Sequence, residues 1–120
     1  MAKNTHSLDI EAGSNQYASI TDAAQTGLDI TGNITIEFWL KPESIDQTNV
    51  GIVGKHGDAT AQGGYLVYYT QAVGDENKLK FYFEDSSDNN TQFRATTAVV
   101  AGTWAHWAFA ATVATPTVAI

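Results

Sequence analysis

The chain contains no cysteine, so neither disulfide bonds nor thiol chemistry contributes to its fold or function. That absence is neutral about compartment. Lysine and arginine are scarce, six against thirteen aspartates and glutamates, which gives a net charge of −7. Nucleic acid and anionic lipid both reward clustered Lys and Arg, so the deficit argues against either as the main partner. Solubility is the simpler meaning of the negative charge. No run approaches the roughly 18 consecutive apolar residues of a membrane span. The opening MAKNTHSLDI has one lysine and no apolar core of a leader, so the chain is expected either to fold where it is made or to have had a leader replaced by Met1. Only two prolines interrupt the chain, and no segment shows a sustained 3.6-residue period.

What is present is alternation. The stretch DITGNITIEFWLKP sets Ile34, Ile36, Phe38 and Leu40 on one side and Thr35, Glu37, Trp39 and Lys41 on the other. Successive side chains of a strand point to opposite faces, so this is a strand with one buried face, closed by Pro42, which cannot donate to a ladder. A strand this apolar on one face requires a second layer to cover it. Shorter alternating segments surround it. Ser7–Glu11 and Gln16–Thr21, separated by Gly13-Ser14-Asn15, read as an opening hairpin. Val50–His56, Tyr65–Thr70, Lys78–Glu84, Thr91–Val99 and Trp104–Val113 follow as strands, with a glycine- and alanine-rich loop over residues 57–64. In Lys78–Glu84 the inward set is Leu79, Phe81 and Phe83. Eight short strands with turn signals roughly every 8 to 12 residues predict an all-β antiparallel sandwich or barrel over a single domain, 1–120.

The order of these pieces is more specific. SLDIEAGSNQYASI, LDITGNITIEFWLKP, IVGKHG, GGYLVYY, LKFYFED and AGTWAHWAFAAT resemble the laminin-G-like, concanavalin A-like lectin jelly-roll domains, from about Ser7 to Val113. The resemblance implies an antiparallel two-sheet jelly-roll sandwich and leaves the ligand open, because one fold hosts many functions. Such domains usually continue into further closing strands past the segment matching Thr117–Ile120. The chain is therefore expected to be C-terminally incomplete, or to have its open sheet edge filled by another chain.

Candidate chemistry is sparse. Tyr68 and Tyr82 fall on the polar sides of neighbouring strands and could meet across the ladder, as a shallow glycan-binding face or as an ordinary cross-strand pair. Trp39 offers a stacking platform for a sugar ring, although a core position, with both faces of its strand covered, is the expectation. His6, His56 and His106 show no HxH or HExxH spacing, so His106 reads as a structural histidine. Asp85, Asp88, Asn89 and Asn90 crowd one turn, and Asp22 and Asp29 lie in another loop. Hard oxygens on loops suit calcium, which takes about six to eight of them, and calcium in rim loops is what the resemblance implies; turn formation is the simpler use of the same residues. Asn33-Ile34-Thr35 and Asn89-Asn90-Thr91 match the glycosylation sequon.

No nucleophile motif is present, and Glu11, Glu37 and Glu84 lack the E-x-D-x-E type of spacing used by jelly-roll glycanases. The expectation is a non-catalytic, lectin-like module recognising glycans or a protein surface, extracellular or on a virion, without nucleic acid or membrane insertion. The alternative is a structural subunit, a virion decoration or fibre protein or an extracellular filament, that assembles as a homo-oligomer or through its open sheet edge.

Overall fold

The computed structural model describes residues 5–14, 16–30, 32–56, 64–84 and 90–111. Among the described residues six strands form two antiparallel sheets: β1 (Ile34–Leu40), β2 (Val50–Lys55), β3 (Gly64–Thr70), β4 (Lys78–Glu84), β5 (Asn90–Arg94) and β6 (Ala105–Ala111). The larger sheet is a meander in the order β2-β3-β4-β5, and the smaller pairs the first strand with the last, β1-β6. There is no α-helix among the described residues; two 3₁₀ turns, Ala12–Ser14 and Asp22–Ala24, lie ahead of β1.

Alternation translates directly into burial. Along β4 the pattern is strict, with Leu79, Phe81 and Phe83 buried and Lys78, Lys80, Tyr82 and Glu84 half-exposed. On β3 the buried set is Tyr65, Val67 and Tyr69, and on β6 it is Trp107, Phe109 and Ala111. Phe81 joins the layers, its ring centroid 5.9 Å from that of Phe109 on the facing sheet and 6.3 Å from that of Phe93 beside it. The hydroxyl of the inward Tyr69 donates to Asn77 at 2.8 Å, and the Gln71 amide donates to the Tyr69 oxygen and the Ile45 carbonyl. Burial holds the Tyr69 phenol above its usual range, and the charge of Asp46 adds to that shift. The indole Nε1–H of Trp107 is buried with no acceptor among the described residues.

Left-handed backbone marks two of the turns. Gly74 (φ 84°) and Asn77 (φ 59°) supply the left-handed backbone of the β3–β4 connection. Gly102 (φ 72°) turns the chain into β6, and its N–H donates to the Pro42 carbonyl at 2.7 Å, tying the start of β6 to the end of β1.

The expected opening hairpin does not form. Residues 7–11 and 16–21 belong to neither sheet. Their apolar side chains have found no layer to enter: Leu8 is 71% exposed and Tyr17 82%. An isolated pair of short strands is marginal in water, and without apolar cover the alternation alone cannot hold it. The strand expected over Thr91–Val99 spans Asn90–Arg94 instead. Beyond it Ala95 donates to the Leu79 carbonyl at 2.9 Å and Val99 to the Asn77 carbonyl at 2.6 Å, so the chain stays against β4 as it turns. The segment expected to begin at Trp104 begins at Ala105. Residues 57–63, most of the glycine-rich loop, and the C-terminal Thr117–Ile120 lie outside the described residues.

Candidate functional site

Both expected tyrosines stand on the outer face of the larger sheet. Register places Leu66 opposite Tyr82 and Tyr68 opposite Lys80. Gly51 and Gly54 lie opposite Tyr68 and Leu66 on β2, so that strand presents bare backbone to the same side. The result is a trough of about 420 Å³ lined by Asn49, His56, Leu66, Tyr68 and Tyr82. Its shape depends on the missing side chains. A Cβ on Gly54 would lie 2.6 Å from the Tyr65 carbonyl oxygen, whereas one on Gly51 would meet only a Leu66 methyl at 3.8 Å.

Polar groups ring the trough. The His56 ring meets Tyr82 edge to face at 5.1 Å, and its Nε2 lies 3.8 Å from a Glu84 carboxylate oxygen. The Tyr68 hydroxyl reaches over β4 to within 3.5 Å of Gln92. Further along the face Asp75 pairs with Lys80 at 2.7 Å and with Arg94. Hydrogen bonds from Lys80 and then Arg94 hold the Asp75 carboxyl below the usual carboxylate range. Hydrogen-bond donors, acceptors and two phenol rings around a shallow apolar floor make a surface that can stack one flat face of a ligand and bond its rim.

Trp39 is elsewhere. It stands on the outer face of β1, on the far side of the sandwich from the trough, and is 63% exposed. The expectation that it is core is overturned, because its inward neighbours Phe38 and Leu40 take the buried side and no layer among the described residues covers the outer one. His106 lies opposite it, ring centroids 5.2 Å apart at 47°, with a Glu37 carboxylate oxygen 3.8 Å from the imidazole Nε2. The structure thus brings Tyr68 and Tyr82 together and separates both from Trp39.

The oxygen ligands expected for calcium are described only in part. Asp85, Asp88 and Asn89 lie outside the described residues, and Asn90 opens β5, exposed. Asp22 and Asp29 do converge, but on a lysine: Lys55 Nζ is 3.2 Å from Asp22 and also ion-paired with Asp29. Its hydrogen bond lowers the Asp29 pKa, and the same contact raises that of Lys55. Sequence reading missed a different group, Asp9, Glu11 and Glu43, whose exposed carboxylates approach within 4.8 Å of one another. Thirty-two positions separate Glu11 from Glu43, and no local pattern links them. His56 and the two glycines were also missed as parts of the trough; a strand with glycines at positions of the solvent-facing register is the signal that marks such a depression.

An antiparallel two-sheet sandwich with an outward aromatic trough is the architecture of a β-sandwich binding module. The family model of the concanavalin A-like lectin/glucanases superfamily, a laminin-G type, matches residues 12–118, and the chain belongs to that family. No curated protein and no solved structure matches it. Membership supports a binding role in general terms, and domains of this kind are commonly extracellular. No helix among the described residues is long and apolar enough to cross a membrane.

Proposed function

We infer that the protein is a non-catalytic, lectin-like module that binds glycans in the Tyr68–Tyr82 trough. One observation carries this reading: two outward tyrosines flank a depression kept open by side-chain-free positions on β2. A pyranose presents an apolar C–H face and a polar rim. Stacking on the Tyr68 or Tyr82 ring takes the first, and Asn49, His56, Glu84 and Gln92 are placed to bond the second. No residue in this arrangement needs to be a nucleophile or an acid. Probing an array of immobilised glycans with the protein and with Tyr82→Ala tests the reading. Retention by wild type that falls at least tenfold in the variant supports it; silence of wild type on the whole array sinks it. A parallel arm in EDTA tests the calcium expectation, since binding that survives the chelator removes calcium from the interaction.

A second reading rests on the smaller sheet. Among the described residues β1 and β6 pair only with each other, so each has one edge without a strand neighbour. Such an edge is a template for another strand, as a structural subunit of a virion or filament would use it. Native mass spectrometry separates the two readings: a monomer at low micromolar concentration removes obligate assembly.

A further inference from the structure

The trough leaves the outer face of β1 and β6 without a role, and no layer among the described residues covers it. On β1 this face presents Thr35, Glu37 and Trp39, with Lys41 exposed just past the strand on the same side. On β6 it presents Ala110, Ala108 and His106, which stand opposite those three in register. Trp104, two positions before His106, is 51% exposed. The Trp39–His106 pair divides the face into unlike halves. Lys41 and Trp104, a cation and a bulky ring, lie to one side of it. Glu37 and Ala108, an anion and a small side chain, lie to the other.

A surface whose halves are opposite in charge and in size is complementary to itself turned end for end. A twofold axis lying in the interface, across the strands at Trp39 and His106, lays one such sheet antiparallel on another. It brings Glu37 to Lys41 of the second copy, and Lys41 to Glu37 of the second copy. The same rotation seats each Trp104 over the other copy's Ala108. The two Trp39 rings meet at the axis, where offset stacking fills the roughly 10 Å between packed sheets. Charge also fixes the register. An axis moved to the next outward position sets Glu37 against Glu37, or Lys41 against Lys41, and like charges disfavour both. We propose that this face is a dimer interface between two copies of the chain, packed back to back through β1 and β6. The contact is isologous and closes on itself. It uses the outer face of the smaller sheet, whereas strand addition would use its open edges. At roughly 24 Å by 10 Å the face is small. A standard interface buries about 800 Å² on each partner, so this dimer belongs to the weak, exchanging class. The trough lies on the far side of each sandwich, so the two troughs of a dimer face away from each other. Such a dimer would bridge two glycan-bearing surfaces, and that consequence alone rests on the glycan reading.

Sedimentation velocity from low micromolar to millimolar concentration tests the proposal. Wild type is expected to be monomeric at the lower limit and to shift toward dimer, and no further, as concentration rises. Glu37 and Lys41 lie about 14 Å apart along their own chain, too far to pair within one copy, so charge reversals report contacts between copies. Glu37→Lys and Lys41→Glu each set like charges at both contacts and are expected to weaken dimerisation about tenfold. Mixed in equal amounts, the two variants restore both opposite pairs, and the mixture is expected to dimerise like wild type. That rescue also shows that both variants are folded. Trp39→Ala, which empties the centre of the interface, is expected to weaken dimerisation by about tenfold or more. Tyr82→Ala, in the trough, leaves it unchanged. A wild type that stays monomeric throughout, or one that grows past the dimer, overturns the proposal. So does a charge-reversed or Trp39→Ala variant that associates like wild type, or a mixture no stronger than its components. None of these outcomes depends on whether the glycan array responds.

Discussion

The two sheets obey the same alternation rule and end in different states. Four strands at their usual spacing are roughly 19 Å wide, and two are roughly 10 Å. β3 and β4 each have a strand on both flanks, and on their inward faces Val67, Leu79 and Phe81 have no exposed surface. The smaller sheet is unevenly enclosed: Trp107, Phe109 and Ala111 of β6 are buried, whereas Ile36, Phe38 and Leu40 of β1 pack on the core but stay half-buried. Their outer faces differ as well. One carries tyrosines with Lys80 and Arg94, the other tryptophan and histidine with Glu37. The contrast teaches that an apolar stripe says which way a strand faces, while everything packed around that strand says how completely the stripe is covered.

The sharpest way to break this comparison is to cut the same side chain from each sheet. Phe81→Ala removes a fully buried ring wedged between Phe93 and Phe109, and a loss of about 3 to 5 kcal/mol is expected in urea denaturation. Phe38→Ala, half-buried on β1, is expected to cost distinctly less. Equal losses would mean that β1 is as well enclosed as β4.

Paired glycine substitutions probe the larger sheet from its outer side. Gly54→Ala drives a methyl group against the Tyr65 carbonyl and Leu66, so the β2–β3 ladder must shift, at a cost of about 1 to 3 kcal/mol. Gly51→Ala meets ordinary van der Waals distance and is expected to fold normally. Thermal melts of the two variants decide this. If they melt together, bare backbone at Gly54 is not what the trough depends on.

The smallest effect separates two carboxylate latches. Asp75 and Asp29 both have lowered pKa values, from Lys80 and Arg94 in one case and Lys55 with Gln25 in the other. A carboxyl with a depressed folded-state pKa stabilises the fold above its unfolded pKa, about 3.9, and the contribution disappears as pH falls through the folded value. Stability is therefore expected to decline with acidification below about pH 4. Asp75→Asn should flatten that decline more than Asp29→Asn, because the Asp75 side chain is 17% exposed and that of Asp29 67%. Melting temperatures between pH 5 and 2.5 measure the difference, and identical profiles would show that solvent screens both latches alike.

Much of this architecture was legible in the chain. The inward sets of β1 and β4, the closing role of Pro42 and the turns at Gly74–Asn77 and Gly102 follow from period-two patterning and turn chemistry, which are local. Leu8, Ile10 and Ile20 show the limit of that logic. Their segments alternate like strands, yet Leu8 is mostly exposed because burial depends on a facing layer that no local pattern reports. Trp39 failed in the same way: its position on the polar side of the strand was visible, and whether anything lay over that side was not.

The candidate sites were read less completely. Tyr68 and Tyr82 could be paired from strand order, since neighbouring strands of a meander meet. His56, Gly51 and Gly54 join them only through the β2–β3 register, which slips between Gly51 and Val53. The contact of Lys55 with Asp22 and Asp29, and that of Glu43 with Asp9 and Glu11, join residues at least 26 positions apart.

The sequence by itself determined the class of fold, the family, the inward face of each central strand and the negative charge of the surface, because composition and alternation act within a few residues. Only the tertiary structure decided that β1 pairs with β6, that the tyrosines share a trough while Trp39 looks the other way, and that a lysine sits between two aspartates. Those outcomes depend on which distant segments meet, and pairing across a sandwich is fixed by the packing of whole layers.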